Sequence, residues 1–377
     1  MSKEKKKNIC DYISWRGDLS FKNAPFNEVD AMIFAQLSYL HMDGIASNNL
    51  DDVISINELA REFMASPDFE TRSHNGPFIN AQTVDLLELA SQSERFGNSK
   101  ICYFTDDLDL KQEKQFSAYT AILDDDTIFI AFRGTHEEII GWKEDLNMAF
   151  ETPVPAQLES VNYLENVAKH FKNKEIRIGG HSKGGNLALY AAAFCDKATK
   201  KRIKMVYNND GQGFEKSILE SEEYKEITDK IQTVLPHSSM VGILLPHIGK
   251  IRIVESSNSD LMQHDAFSWQ VLGNAFVTVP SRTKQSLYFE KSVQKWLKNL
   301  DTDRKKEAVN TLFDIISVSG ANTLTEFRES FLKSSPKILH YFKEVDERTK
   351  KDINSFLKIF ISSKVVSIID DKLPWDK

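Results

Sequence analysis

The chain has 377 residues, 41% hydrophobic and 27% charged, with a net charge of −7 at pH 7. That length admits one large domain or a domain with a substantial extension, and 24 phenylalanines supply ample core. The acidic balance argues against a nucleic-acid partner, and three scattered cysteines, Cys10, Cys102 and Cys195, against a disulfide framework or a zinc site.

In chain order, the basic run Lys3-Glu4-Lys5-Lys6-Lys7 reads as a solvated tail. No apolar h-region follows it, so a secretory signal is not expected. No apolar run approaches the roughly 18 residues of a spanning helix. With reduced thiols, this makes a soluble cytoplasmic protein the expectation. Helical patterning appears at 28–40, 56–64 and 81–95, then β-rich runs at 101–104, 116–123 and 127–132, with a turn signal in Asp124-Asp125-Asp126. From there the pattern alternates: helix 156–171, strand 175–179, helix 184–195, strand 203–208, helix 215–227, then strands 230–235 and 251–256. Such alternation predicts an α/β fold with a mostly parallel central sheet and helices on both faces. Strand patterning then ends. Residues 291–377 read as a helical extension packed on the core, with helices at 303–317, 323–333, 336–347 and 351–370.

One pentapeptide carries chemistry. Gly180-His181-Ser182-Lys183-Gly184 is a G-x-S-x-G motif between the strand EIRIG and the helix GNLALYAAA. A nucleophile elbow needs glycines two residues either side because the strand-to-helix turn is too tight for side chains there. The serine's backbone is strained, and the helix start aims N–H groups at a developing oxyanion. A phosphate-binding loop would need Lys then Ser/Thr after Gly184, where Gly185-Asn186 stands; no G-x-G-x-x-G follows a strand either, so no nucleotide cofactor is expected.

A serine nucleophile needs a base oriented by an acid, in the order Ser, Asp/Glu, His. Of the histidines after Ser182, His264 lies in the loop after the last strand, where the base belongs. His237 comes one strand early, His247 precedes the last strand and reads as structural, and His340 lies in the extension. For the acid, Asp210 ends the strand after the elbow unit; Asp260 and Asp265 sit too near His264 in sequence to orient it. Asp210 also reads as an Asx-turn capping the strand exit. A second oxyanion donor is expected from IAFRGT, where Thr135 offers its amide and hydroxyl. Arg133 is expected to pair with a carboxylate such as Asp145, and Trp142 to be core.

The stretches IAFRGT (130–135), GW..DL (141–146), GGHSKGGNLA (179–188) and QHDAFSW (263–269) resemble the α/β-hydrolase class 3 lipases. They resemble more closely the Mbeg1-like group of that superfamily, as do DYISWRGDLSFKNAPFNEVDAMIFAQLSYL (11–40), DGQGF (210–214) and SMVGILLPH (239–247). The resemblance covers about residues 8–290, and so implies a lipase-like α/β-hydrolase domain over 1–290. It implies a serine hydrolase acting on a small-molecule or lipid ester without metal or cofactor: Ser182 as nucleophile, His264 as base, and the amides of Thr135 and Lys183 as oxyanion donors. Two departures stand out. Class 3 lipases carry the acid in an Asp-x-Val pattern where this chain has Ser239-Met240-Val241, which brings Asp210 forward. Lys183 replaces a small or apolar residue, its side chain either pointing away from the pocket or bringing a cation towards an acidic substrate.

The apolar stretch 240–246 reads as core, with an acyl pocket or a lid as the other reading. The last helix, with Lys358 and Lys364 on its polar face, is expected to dock on the core, weak peripheral membrane contact being the alternative. A non-catalytic binding scaffold is the competing function. Nothing in the sequence sets the oligomeric state.

Overall fold

The computed structural model describes residues 7–73 and 80–362. Eight strands form one sheet in chain order: β1 Ile54–Ser55, β2 Lys100–Asp109, β3 Lys114–Ile122, β4 Ile128–Phe132, β5 Ile176–His181, β6 Ile203–Asn209, β7 Ile231–Pro236 and β8 Lys250–Val254. Pairs from β1 to β4 are antiparallel. Those from β4 to β8 are parallel. This is the α/β-hydrolase arrangement with an antiparallel edge, and the turn at 124–126 joins β3 to β4.

The central strands are apolar throughout because both faces are covered. In β4, Ile128, Ile130 and Phe132 pack with Tyr163, Leu164 and Leu187 from the crossover helices Pro155–His170 and Lys183–Phe194. The alternate residues Phe129 and Ala131 pack on the opposite face with Val29, Ile33 and Phe34 of the helix Glu28–Leu37. Because β4 to β7 are parallel and adjacent in sequence order, right-handed crossovers put all their connections on one face. The N-terminal helices must therefore cover the other. Between β6 and β7, the helix expected at 215–227 is two short ones, Lys216–Leu219 and Glu222–Lys225. Ser221 breaks them apart by capping the second, its hydroxyl accepting the Tyr224 amide.

Four helices complete the chain: Lys284–Asn299, Thr302–Ser317, Leu324–Glu344 and Glu347–Ser362. The first begins before residue 290, burying Phe289, Val293 and Trp296 along one stripe. Residues 323–333 and 336–347, expected as two helices, form one that continues through Pro336. A proline inside a helix costs about 3 kcal/mol. Burial of Ile338 beyond the proline, in the same cluster as Phe327 and Phe331 before it, offsets that cost.

The extension has its own core around Trp296, Leu300, Ala308, Ile338 and Ile353. It meets the sheet domain in two places. Phe289 and Val293 pack on Leu235, Met240 and Ile243, so the 240–246 stretch is largely core. Val309 and Phe313 pack on Ile139 and Phe150. Backbone hydrogen bonds from Ile139 to Asn322 and from Leu324 to Glu137 fasten the contact. In the last helix, Ile353, Phe356 and Ile359 face this core while Lys358 is exposed; Lys364, like the tail lysines 3–6, lies outside the described residues. Among the described residues no helix is long and apolar enough to cross a membrane.

Candidate active site

At the end of β5 the chain reverses into the helix Lys183–Phe194 through Ser182, whose φ of 58° and ψ of −135° lie outside the relaxed regions for a side-chain-bearing residue. The flanking glycines let this happen. A Cβ on Gly180 would fall 2.3 Å from the Gly184 carbonyl carbon, and one on Gly184 2.0 Å from the Phe132 carbonyl oxygen. Elbow, helix start and β4 are thus in backbone contact. Among the described residues the Ser182 hydroxyl has no hydrogen-bond partner, and its amide donates to the Asn209 carbonyl at 2.9 Å.

His264 ends a short 3-10 turn at Asp260–His264, after β8. Its Nδ1 lies 2.7 Å from Asp210 Oδ2. Asp210, fully buried at the end of β6 with φ 52°, also accepts hydrogen bonds on Oδ1 from the Ser239 hydroxyl and the Gly242 amide at 3.2 Å. A carboxylate cannot donate when ionised, so Nδ1 carries the proton towards it and Nε2 is left with its lone pair for another donor. The His181 ring packs against His264 in a tilted contact, centroids 4.4 Å apart and planes 31° apart. His181 Nε2 is 2.8 Å from the His264 carbonyl oxygen, which can only accept, so the proton sits on Nε2 and Nδ1 accepts from the Tyr39 hydroxyl at 3.2 Å. Burial, and then the neighbouring His264, hold His181 neutral, well below the usual imidazole range.

Opposite stands the loop after β4. Gly134 leaves no room for a side chain: a Cβ there would meet the Tyr39 hydroxyl at 2.1 Å and the His181 carbonyl oxygen at 2.7 Å. The Thr135 hydroxyl donates to Asp145 Oδ2 at 2.5 Å, so its proton is committed to that carboxylate and its amide is the group left for a ligand. Asp145 Oδ1 is buried without a partner, and burial raises the Asp145 carboxyl to about 6. Lys183, first residue of the elbow helix, turns its ammonium back to Glu144 at 2.6 Å, both side chains about 1% exposed. Its amide lies in the first helical turn, where N–H groups lack intrahelical acceptors.

A family profile described as Mbeg1-like matches residues 90–314. The chain belongs to the Mbeg1-like family. No curated protein sequence matches it. Among solved structures it is similar to a mutant form of MDLA from Penicillium cyclopium, with 14% identity, 66% of this chain and 83% of that one covered, and a TM-score of 0.36. A Rhizomucor miehei lipase–propeptide complex shares 18% identity over 54% of this chain and 70% of that one, with a TM-score of 0.33. Lipase II from Rhizopus niveus shares 14% over 55% and 86%, with a TM-score of 0.32.

In this Mbeg1-like chain one expected pairing is replaced. Arg133 binds Asp106, not Asp145, through two bonds of 2.6 and 2.7 Å. Strand order decides this: the Arg133 amide bonds Ser117 on β3, and Ser117 pairs with Asp106 on β2, so the three lie in a row across the sheet. Trp142 is core, packed beside Ile139 and Phe150, and donates its indole N–H to the His136 carbonyl at 3.1 Å. The other histidines keep apart: His247 bonds Gly242, His237 meets Ser256 and Gln263, and His340 pairs with Glu344 on the surface. Sequence reasoning misses Tyr39, Glu144, His181 and Ser239 as members of this neighbourhood. His181, inside the pentapeptide, and Ser239, at the position where the class 3 pattern carries its acid, are the two with a sequence signal.

Proposed function

We propose that this protein hydrolyses carboxylic esters of small molecules or lipids through acyl transfer to Ser182. The observation that carries the reading is the 2.7 Å contact of His264 Nδ1 with buried Asp210, beside a serine held at φ 58° on a strand–helix turn. His264 Nε2 takes the Ser182 proton as the hydroxyl attacks the carbonyl carbon. Asp210 holds the tautomer and stabilises the imidazolium. The amides of Thr135 and Lys183 donate to the tetrahedral oxyanion, each contributing about 10²–10³ in rate. The imidazolium then gives its proton to the departing alkoxide, and water, activated by His264, releases the acid and restores Ser182. Pairing of the Lys183 ammonium with Glu144 supports a neutral ester over an acidic substrate.

The test is labelling by a fluorophosphonate. Wild type should label, Ser182→Ala should not, and His264→Ala and Asp210→Asn should label at least a hundredfold more slowly. A folded wild-type protein that fails to label would transfer the fold to a non-catalytic binding role.

A further inference from the structure

One short helix, Ile139–Asn147, holds both residues that the hydrolase reading assigns to the oxyanion. Its consecutive carboxylates reach them separately: Asp145 accepts the Thr135 hydroxyl at 2.5 Å, and Glu144 the Lys183 ammonium at 2.6 Å. Thr135 lies in the loop after β4, and Lys183 opens the elbow helix. The two come from different elements, so their spacing depends on where the helix Ile139–Asn147 stands.

The C-terminal half of that helix is anchored in the sheet domain, where Glu144 also accepts the Gln115 amide from β3 and the Ala156 amide from the crossover helix. The N-terminal end is gripped by the extension as well as by the Gln115 side chain, which reaches Glu138. The Ile139 amide donates to the Asn322 carbonyl and the Leu324 amide to the Glu137 carbonyl, each at 2.9 Å. Between them Glu138 and Thr323 form an antiparallel bridge, and the Thr325 hydroxyl donates to the Glu137 carboxylate at 2.8 Å. Ile139 and Phe150 then pack on Val309 and Phe313. This grip falls on residues 137–139, directly after Thr135 and His136, so a shift of the helix start is passed to the Thr135 amide. On the hydrolase reading above, on which this inference rests, we propose that the extension is a positioning element for the oxyanion hole. Through Asn322 and Leu324 it sets the helix that holds Thr135 and Lys183 at their working distance. Oxyanion donors act because they are fixed before charge develops, and a misplacement of about 1 Å costs up to about a hundredfold in rate.

The Leu324 amide allows a clean test. Leu324 is the first residue of its helix, where proline is tolerated, and Thr323 before it is already extended, with φ −120° and ψ 160°. Leu324→Pro therefore removes the bond to Glu137 and sets a ring carbon against that carbonyl. Leu324→Ala loses the same side-chain packing but keeps the bond. In hydrolysis of soluble p-nitrophenyl butyrate, kcat of the proline variant should fall about tenfold below that of the alanine variant, with KM within about twofold. Hydrogen–deuterium exchange over residues 133–147 should be faster in the proline variant. Should that variant not fold, Phe313 decides by the same comparison: Phe313→Ala should lower kcat and Phe313→Leu restore most of it. In a protein that labels at Ser182, equal kcat within the deciding pair, or a loss confined to KM, overturns the inference. Unchanged exchange in a folded proline variant overturns it as well. Faster exchange there, in a chain whose wild type does not label, keeps the brace and sinks the hydrolase reading instead.

Discussion

Lys183 is the residue at which this chain departs most plainly from an apolar elbow, and its replacement by methionine separates two readings of the cation. The ammonium lies 2.6 Å from Glu144 Oε2 with both side chains about 1% exposed. Among the described residues Glu144 otherwise accepts the Gln115 amide at 3.0 Å and the Ala156 amide at 2.9 Å. Lys183→Met keeps the volume and leaves a buried carboxylate without its counter-charge, which costs about 3–5 kcal/mol. Adding Glu144→Gln removes the stranded charge while retaining an acceptor for one amide. The double variant should then recover at least ~2 kcal/mol, a coupling of the size expected for groups in direct contact. Urea unfolding followed by circular dichroism gives all four corners of the cycle. Preference between a neutral ester and one with a carboxylate in the acyl part should stay unchanged in the double variant. A single substitution costing under about 1 kcal/mol, or a double variant that loses selectivity for the anionic ester, would refute a purely structural cation.

Gly184→Ala should be severe, since its Cβ would sit 2.0 Å from the Phe132 carbonyl oxygen and neither backbone can yield cheaply. Labelling slowed by about 10² is expected from displacing the elbow against β4, and wild-type-like labelling would show the contact to be loose. Ser239→Ala removes the hydroxyl donor to Asp210 Oδ1, a charge-assisted bond worth about 1.5–3 kcal/mol. Labelling should slow about tenfold, with Ser239→Thr restoring it; an unchanged rate would make the contact incidental. Asp145 sets a pH dependence of stability. Its folded carboxyl titrates at about 6, above the ordinary carboxylate range, so the native state binds the proton more tightly than the unfolded chain. Stability contributed by this group is therefore full below about pH 4 and is lost as pH rises to 6, by about 3 kcal/mol. Asp145→Asn should flatten that slope in denaturation measured from pH 4 to 8, and an equal slope in both proteins would contradict the burial argument.

How much of this was legible depends on how local each determinant is. The parallel strands show as unbroken apolar runs such as Ile128–Phe132, because a strand covered on both faces needs no alternation. The elbow shows because glycines at fixed offsets from one serine answer a steric demand within five residues. The helix Lys284–Asn299 buries one polar residue, Ser286, with the apolar Phe289, Val293 and Trp296 along its stripe and exposes Leu287 and Tyr288, so its period is diluted. Pro336 reads as a break, yet packing on both sides keeps the helix whole. Pairings such as Arg133 with Asp106 or Lys183 with Glu144 depend on which elements become neighbours, and charge spacing along the chain carries no trace of that.

On the proposed hydrolase reading, the acid illustrates how a site is redistributed without losing its geometry. Asp210 directly follows β6, and Ser239 lies in the loop after its parallel neighbour β7, so both stand at the same edge of the sheet, where His264 arrives from beyond β8. Parallel neighbours deliver their carboxyl ends to one edge, so a carboxylate on either strand end can reach the same imidazole. With Asp210 after β6, the β7 end is freed to carry a hydroxyl, and Ser239 and Gly242 together satisfy the carboxylate oxygen that His264 leaves unused. On that reading, the departure at Ser239-Met240-Val241 and the choice of Asp210 are two halves of one arrangement: the hydroxyl and the amide hold one carboxylate oxygen while the other meets His264.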